Sequence, residues 1–361
     1  MLSFHSLKVA EVRPEATDAI CLAFEVPESL REAYRFKPGQ HITLRAKVDG
    51  QELRRTYSIC SASDEPLLRI GVRVQEKGAM SRYLARELRP GSELEVMMPT
   101  GRFFVEPDPS AARAYCAFAA GSGITPILGI LKNVLKSEPA SRFTLFYGNR
   151  STSTIMFAEE LLALKDLYTD RLALHFVLSR EPQDIELLNG RLDADKVAQL
   201  AGQLFDPAAM DAYFLCGPGS MIDTVRQALL KLDVDPARIH SEHFLSEATP
   251  ARTARAPEAA GAAAAPEKTT HVTVVMDGRR RSFTMPGEGR TVLEAAEEAG
   301  LDLPYSCRAG VCSTCRTRVV RGSVTMTTNY ALEPWEVEAG YVLCCQALPT
   351  SSELEITYDE R

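Results

Sequence analysis

The sequence predicts a multidomain chain: an antiparallel β-barrel, then a doubly wound α/β domain, then a small α+β domain. Three observations lead there. Residues 4 to about 108 alternate apolar and polar between closely spaced turn signals; from Ala114 the apolar runs become continuous, with helical stretches between them; and five of the nine cysteines fall within the last 55 residues. A chain of 361 residues has room for two or three domains. Its 45% hydrophobic and 25% charged residues make a composition that fills cores.

The barrel rests on stretches such as HITLRAKV and LLRIGVRV, bounded by KPGQ, DGQE, RPGSE and PTGR, the pattern of half-buried antiparallel strands. After it, YCAFAA, FTLFYG, LALHFVLS and AYFLCG are uninterrupted apolar runs, as strands buried on both faces require. PILGILKNVLKS and MIDTVRQALLKL fall between them as helices, and strands alternating with helices make a parallel sheet. Residues 246–268, SEATPARTARAPEAAGAAAAPEK, hold ten Ala and three Pro but no Leu, Ile, Val or aromatic residue. Such a segment buries no core and reads as a flexible linker. Beyond it, VTVVMDGRRRSFTM is a hairpin turning at Asp277-Gly278, and TVLEAAEEAG is an amphipathic helix. The expected domains are 1–109, 110–245 and 269–361, with 246–268 between the last two.

A net charge of -7 argues against nucleic acid as the main partner. The start, MLSFHSLKVAEV, lacks a basic region followed by an apolar run, and no apolar stretch approaches 18 residues. No membrane partner is expected, and a cytoplasmic location is the default. In a reducing compartment the clustered cysteines point to metal rather than disulfides.

The cysteine loop is PYSCRAGVCSTC, with Cys307-x4-Cys312-x2-Cys315 and a fourth cysteine some thirty residues on. This is the plant-type [2Fe–2S] spacing. Structural zinc usually takes paired C-x2-C knuckles, whereas here three ligands share one loop. In the α/β part, AAGSGITPILGI runs a strand into Gly121-Ser122-Gly123, with Thr125 as helix N-cap and Pro126 at the first helical position. Glycines let a pyrophosphate approach the backbone, and the helix N-terminus favours its charge. In the barrel, Gly78 precedes Ser81, a second candidate N-cap able to receive a diphosphate. Ser179 and Arg180 follow a buried strand where an adenosine ribose would lie; an arginine there suits a 2′-phosphate, with Arg150 assisting. NADPH is therefore expected over NADH.

These motifs carry a resemblance. Arg55-Thr56-Tyr57-Ser58 followed by the Gly78–Ser81 turn resembles the flavin site of the ferredoxin–NADP⁺ reductase superfamily. The resemblance implies that Arg55 holds the flavin phosphates, Tyr57 lies against the ring and Ser58 reaches its N5 edge. It also implies that Cys216-Gly217-Pro218 lies near the nicotinamide, with Cys216 packing beside the hydride path and not acting as a nucleophile. Glu242, in IHSEHF, becomes a candidate proton-relay carboxylate. Pro304 to Pro349 resembles plant-type ferredoxins of the β-grasp fold, including their ending C-x-A-x-P. Cys345-Gln346-Ala347-Leu348-Pro349 fits that ending and Cys344 does not. If the segment is a strand, successive side chains face opposite ways, which makes Cys345 the fourth ligand and Cys344 a buried bystander.

The order of domains, with FHSLKVAEV, YRFKPGQHITL and TNYALEPWEVEAGYVL, resembles the reductase subunits of ring-1,2-phenylacetyl-CoA epoxidases. That implies FAD, a plant-type cluster and the oxygenase component of a multicomponent di-iron epoxidase as partner, in phenylacetate catabolism. NADPH yields two electrons together and a [2Fe–2S] centre takes one, so the implied order is NADPH, flavin, cluster, oxygenase. The linker would let the terminal domain visit flavin and partner in turn at roughly millimolar effective concentration. Arg308, Arg316, Arg318 and Arg321 suggest a basic rim that docks an acidic partner. Two alternatives stay open: a reductase for another aromatic-ring dioxygenase or monooxygenase, and a flavin reductase whose terminal domain is a zinc-stabilised docking module.

Overall fold

The computed structural model describes residues 3–244, 269–286 and 289–360. The expected linker, 246–268, lies outside the described residues. Two compact units result, one spanning Phe4–Phe244 and one formed by the described residues after 268.

The first unit opens with strands β1 (Phe4–Ala16), β2 (Ala19–Glu25), β3 (His41–Val48), β4 (Gln51–Ser58) and β5 (Leu68–Arg73), then helix α1 (Ala79–Arg86) and strand β6 (Glu93–Met97). They form one antiparallel sheet in the order β4-β3-β6-β1-β2-β5. Its two edges meet, because Ile59 bridges Ile70 and Cys60 N–H donates to the Arg69 carbonyl at 2.9 Å. Closure removes the exposed edges that an open sheet would leave. Leu7, Val9, Leu22, Ile42, Leu44, Ile70 and Val96 fill the interior. The alternation seen along β1, where Leu7 and Val9 are buried and Ser6 and Lys8 exposed, is what one filled face demands.

The chain continues as β7 (Ala114–Ala120), α2 (Ile124–Ser137), β8 (Arg142–Asn149), α3 (Ala158–Leu167), β9 (Leu172–Leu178), α4 (Ala194–Leu200), β10 (Ala212–Gly217), α5 (Gly219–Lys231) and β11 (Ile239–His243). The five strands are parallel in the order β11-β10-β7-β8-β9. Strand β7 has apolar residues at every position because both its faces are covered. Tyr115, Ala117 and Ala119 pack with α2, while Cys116 and Phe118 pack with Leu215, Ile222 and Val225 on the other side. From β7 the chain goes to β8 and β9 on one side, and later to β10 and β11 on the other. The C-terminal ends of β7 and β10 therefore border the crevice where open α/β sheets bind ligands.

The second unit holds β12 (Thr269–Met276), β13 (Arg279–Pro286), α6 (Val292–Glu298), β14 (Arg316–Arg321), β15 (Val324–Met326), α7 (Pro334–Glu338), β16 (Tyr341–Leu343), β17 (Ala347–Pro349) and β18 (Glu353–Thr357). A mixed sheet runs β13-β12-β18-β14-β16, with β15-β17 as a separate pair. Asp277 and Gly278 both have positive φ, 54° and 69°, as a type I′ hairpin turn needs. Thr291 caps α6 in a reciprocal box with Glu294. Val292, Leu293 and Ala296 then pack into the same core as Val272, Val274 and Ile356.

One contact sets the geometry of the crevice. A Cβ added at Gly123 would lie 2.1 Å from the carbonyl oxygen of Cys216. The start of α2 thus touches the end of β10 backbone to backbone. Gly123→Ala is expected to cost ~1–3 kcal/mol by overpacking, read as a lower urea midpoint at unchanged slope. A midpoint equal to that of the parent chain would show that the two segments can separate freely.

Candidate functional site

At the crevice, Gly121–Gly123 form a single 3-10 turn that leads into α2. The N-cap of α2 is Gly123, which corrects the expectation for Thr125 and Pro126. Those are the second and third helical residues, and the Thr125 hydroxyl donates to the Ser122 carbonyl at 3.0 Å. The 3-10 turn starts the spiral early, and Pro is tolerated in a first turn because its missing N–H has no intrahelical partner. Gly121 has φ +56°, and its carbonyl accepts from the Tyr147 hydroxyl at 2.9 Å. Beside it stands Arg73, whose Nε would lie 3.7 Å from a Cβ on Gly121. That Nε is buried without a hydrogen-bond partner among the described residues, although Nη1 bonds Asp18 and Nη2 the Thr154 carbonyl. An orphaned guanidinium nitrogen next to free helix amides is a fitting cradle for a nucleotide diphosphate.

Across the crevice, the Ser58 hydroxyl donates to Glu242 Oε2 at 2.9 Å. Ser58 ends β4 directly opposite His41 on β3, and His41 Nδ1 lies 3.5 Å from Glu242 Oε1. The His41 ring is buried and its Nε2 has no partner among the described residues. Glu242 on β11 is paired in register with Cys216 on β10. Burial, with the charge of Glu242 adding to it, pushes the Cys216 thiol well above its ordinary range. Gly217 and Pro218 follow at the strand end, and Pro218 precedes α5 as its N-cap. Tyr57 packs on the barrel core and is half-buried, while Arg55 Nη1 donates to the Arg54 carbonyl at 2.9 Å. Gly78, not Ser81, is the N-cap of α1. Ser81 sits at the third helical position, where its hydroxyl accepts from Gln75 N–H at 3.1 Å and faces the Gly78 carbonyl. The segment 75–78 folds tightly, with Gly78 N–H donating to the Gln75 carbonyl at 3.1 Å, and the helix starts from the glycine backbone itself.

The ends of β8 and β9 bring another difference. Arg150 is bound to Asp18 at 2.8 Å, and Asp18 also holds Arg73. Arg180 is exposed, with no ion-pair partner among the described residues, and its N–H donates to the Arg150 carbonyl at 2.8 Å. Ser179 donates to the Asn149 carbonyl, while Glu181 accepts from both the N–H and the hydroxyl of Thr152. Of the two arginines, Arg180 is the uncommitted one.

In the second unit, Cys307 hydrogen-bonds with Cys312 and Cys345, and Cys345 with Cys315. Cys307 is half-buried and the other three are buried. The hydrogen bond with Cys307 pulls the Cys345 thiol down. The one with Cys315, burial and the charges of nearby sulfurs outweigh it and hold the thiol well above its usual range. No three His, Cys, Asp or Glu side chains among the described residues form a single-ion site. The structure brings the three loop thiols and the distant Cys345 together, as a shared cluster requires. They are mutually repulsive when ionised, and a cluster's positive irons remove that conflict. Cys344 and Cys345 do not lie on a strand: β16 ends at Leu343 and residues 344–346 form a turn into β17. The turn, and not strand alternation, parts the two side chains. Cys344 points into the core beside Tyr358, where burial pushes its thiol up to about 12 despite that neighbour's lowering hydrogen bond. The expected basic rim is neutralised. Arg308 pairs with Glu297, Arg316 with buried Glu336, Arg318 with Glu360 and Arg321 with Glu353.

Three family models match the chain: an oxidoreductase FAD-binding domain over residues 6–105, an oxidoreductase NAD-binding domain over 118–227, and a 2Fe-2S iron-sulfur cluster binding domain over 274–350. The chain is 44% identical, over all of its length and 99% of the relative's, to a subunit of the 1,2-phenylacetyl-CoA epoxidase of Escherichia coli. It is 34% identical, over 98% of its length and 96% of the relative's, to the ferredoxin reductase component of a 3-ketosteroid-9-alpha-monooxygenase from Rhodococcus rhodochrous. The chain belongs to the reductase components of oxygenase systems. Its fold is shared with phthalate dioxygenase reductase, at a TM-score of 0.58 and 24% identity over 98% of both chains. The reductase is thus an NAD(P)H oxidoreductase with a FAD barrel domain, an NAD-binding α/β domain and a [2Fe–2S] domain. No helix among the described residues is long and apolar enough to cross a membrane.

Sequence reasoning missed His41, Arg73, Asp18 and Gln346. A histidine or arginine within a strand carries no signal of its own; only pairing with Ser58 or Gly121 reveals it. Two outcomes are expected for the reductase. Cys344→Ser keeps the visible absorption of the cluster and Cys345→Ser loses it, and the reverse result would sink the turn geometry. Cys216, neutral and buried, stays unlabelled by iodoacetamide at pH 8 until the protein is unfolded; rapid labelling in the native state would count against its packing role.

Proposed function

We propose that the reductase takes electrons from NADPH and delivers them, through FAD and the [2Fe–2S] cluster, to the oxygenase component of a di-iron phenylacetyl-CoA epoxidase. The observation that carries this reading is the full-length likeness to the epoxidase component of Escherichia coli. Bound in the crevice, a flavin supplies the change from two-electron to one-electron transfer that a nicotinamide and an iron–sulfur centre cannot make directly.

The residues of this chain bind and orient. The Gly121–Gly123 turn, the first turn of α2 and Arg73 hold the diphosphate of the nicotinamide nucleotide. Arg180 meets the 2′-phosphate, with Arg150 available once Asp18 releases it. Arg55 and the amides from Gly78 to Ser81 hold the flavin phosphates, and Tyr57 lines the ring. Cys216, Gly217 and Pro218 form a flat wall that lets the nicotinamide approach. Ser58 and Glu242 move a proton: Glu242 Oε2 accepts from the Ser58 hydroxyl, and His41 Nδ1 steadies the other carboxylate oxygen. Support for that path comes from the 2.9 Å Ser58–Glu242 bond and from the depth of His41. Cys307, Cys312, Cys315 and Cys345 would hold the cluster, and of the four Cys307 is the half-buried one.

The test is NADPH-driven epoxidation of phenylacetyl-CoA by the purified oxygenase component, with and without the reductase. Product formation that needs the reductase supports the proposal; turnover only with a different oxygenase would sink the partner assignment. Arg180→Ala is expected to raise KM for NADPH about tenfold, as losing one charge-assisted bond should, while KM for NADH moves little. Equal changes for both nucleotides would remove Arg180 from the 2′-phosphate site. Glu242→Gln is expected to slow flavin reduction by ~10²-fold, typical of a lost acid–base group, in stopped-flow with the flavin still bound.

A further inference from the structure

The side chain of Gln346 is 8% exposed and follows Cys345 in the turn. Its Nε2 lies 3.0 Å from the Arg308 carbonyl oxygen and 3.6 Å from Cys345 Sγ. Its Oε1 accepts from the Thr327 hydroxyl at 2.6 Å. The amide orientation is forced, because the Arg308 carbonyl can only accept and so must face the NH₂ group. The backbone repeats the clamp: Thr327 N–H donates to the Gln346 carbonyl at 3.1 Å, and Tyr330 N–H to the Gly310 carbonyl at 3.0 Å. Gly310 has φ +76°, and a Cβ there would lie 3.3 Å from Gln346 Cγ and 2.8 Å from the Thr328 carbonyl. One carboxamide therefore joins the cysteine loop, the last cysteine and the segment that covers them. A second N–H···S contact is made within the loop, from Ala309 N–H to Cys307 Sγ at 3.4 Å.

Resting on the assignment of the four cysteines to a [2Fe–2S] cluster, we infer that Gln346 is a positioning residue that raises the cluster's reduction potential by donating a hydrogen bond to the sulfur of Cys345. The reduced cluster carries one more negative charge, shared with its sulfur ligands. A donor aimed at one of those sulfurs stabilises the reduced form more than the oxidised form. Gln346 and Cys345 are both buried, so the bond acts at low local dielectric.

The experiment is a redox titration of the full chain, with the cluster followed by low-temperature EPR. Gln346→Leu is expected to lower the midpoint potential by about 59 mV, a tenfold loss of reduced cluster at fixed ambient potential. Thr327→Val leaves the donor in place but removes the hydroxyl that orients it, and a smaller shift in the same direction is expected. A Leu variant that keeps its cluster at the parent potential would overturn the inference. If the Leu variant does not hold a cluster, the Val variant decides: a lowered potential supports the inference and an unshifted one overturns it. Absence of a [2Fe–2S] signal in the parent chain is a different failure, that of the ligand assignment.

Discussion

The first unit depends on one close approach, the contact of Gly123 with the carbonyl of Cys216. It pins the entry of α2 to the end of β10, and β11 lies beside β10 in fixed parallel register. That register presents Glu242 at the level of Cys216, and from there it reaches Ser58 on the barrel. Without the contact, the helix amides, the wall at Gly217 and the carboxylate would not face one crevice. A residue with no side chain is needed because two backbones meet there.

The barrel and the α/β domain are joined by more than this. Arg69 of the barrel binds Glu160 of α3 at 2.8 Å, and Lys132 of α2 binds both Glu65 and Glu160. These charges are mostly buried, so each depends on the others to offset its desolvation. Phe157, held in a left-handed conformation, donates its N–H to Glu15 at 2.9 Å and packs close to Gly71. Such interlocking suits an enzyme that must keep a nicotinamide and a flavin at ~3–3.5 Å during hydride transfer.

The iron–sulfur unit solves a different problem. Four thiols gathered in a small space oppose one another, and the protein alone does little to relieve them. The loop accepts the crowding through left-handed residues at Arg308, Gly310 and Ser313, and the turn at 344–346 sends one of two adjacent cysteines inward to the core and the other to the loop. Arg308, Arg316, Arg318 and Arg321, the four arginines in or just after the cysteine loop, are each paired with a carboxylate of this acidic domain.

Domain order, the barrel, the doubly wound sheet and the cysteine spacing were legible in the sequence because each is written in contiguous residues: alternation, apolar runs, turn dipeptides, a fixed C-x4-C-x2-C. The errors lie where a choice is made through space. Thr125 and Ser81 have the composition of N-caps, but the helices begin earlier, because a 3-10 turn and a tight loop precede them. Arg150 looked free until folding brought it to Asp18, 132 positions away in the chain. Ser58 and Glu242 are separated by 184 residues, and no local pattern announces that they will be hydrogen-bonded. By itself the sequence determined which elements form and which cofactor chemistries they suit, since those follow from short-range sterics and donor type. Only the tertiary structure decided which polar groups are committed to each other and which remain for a ligand, because hydrogen bonds and ion pairs depend on distance in space, not on distance along the chain.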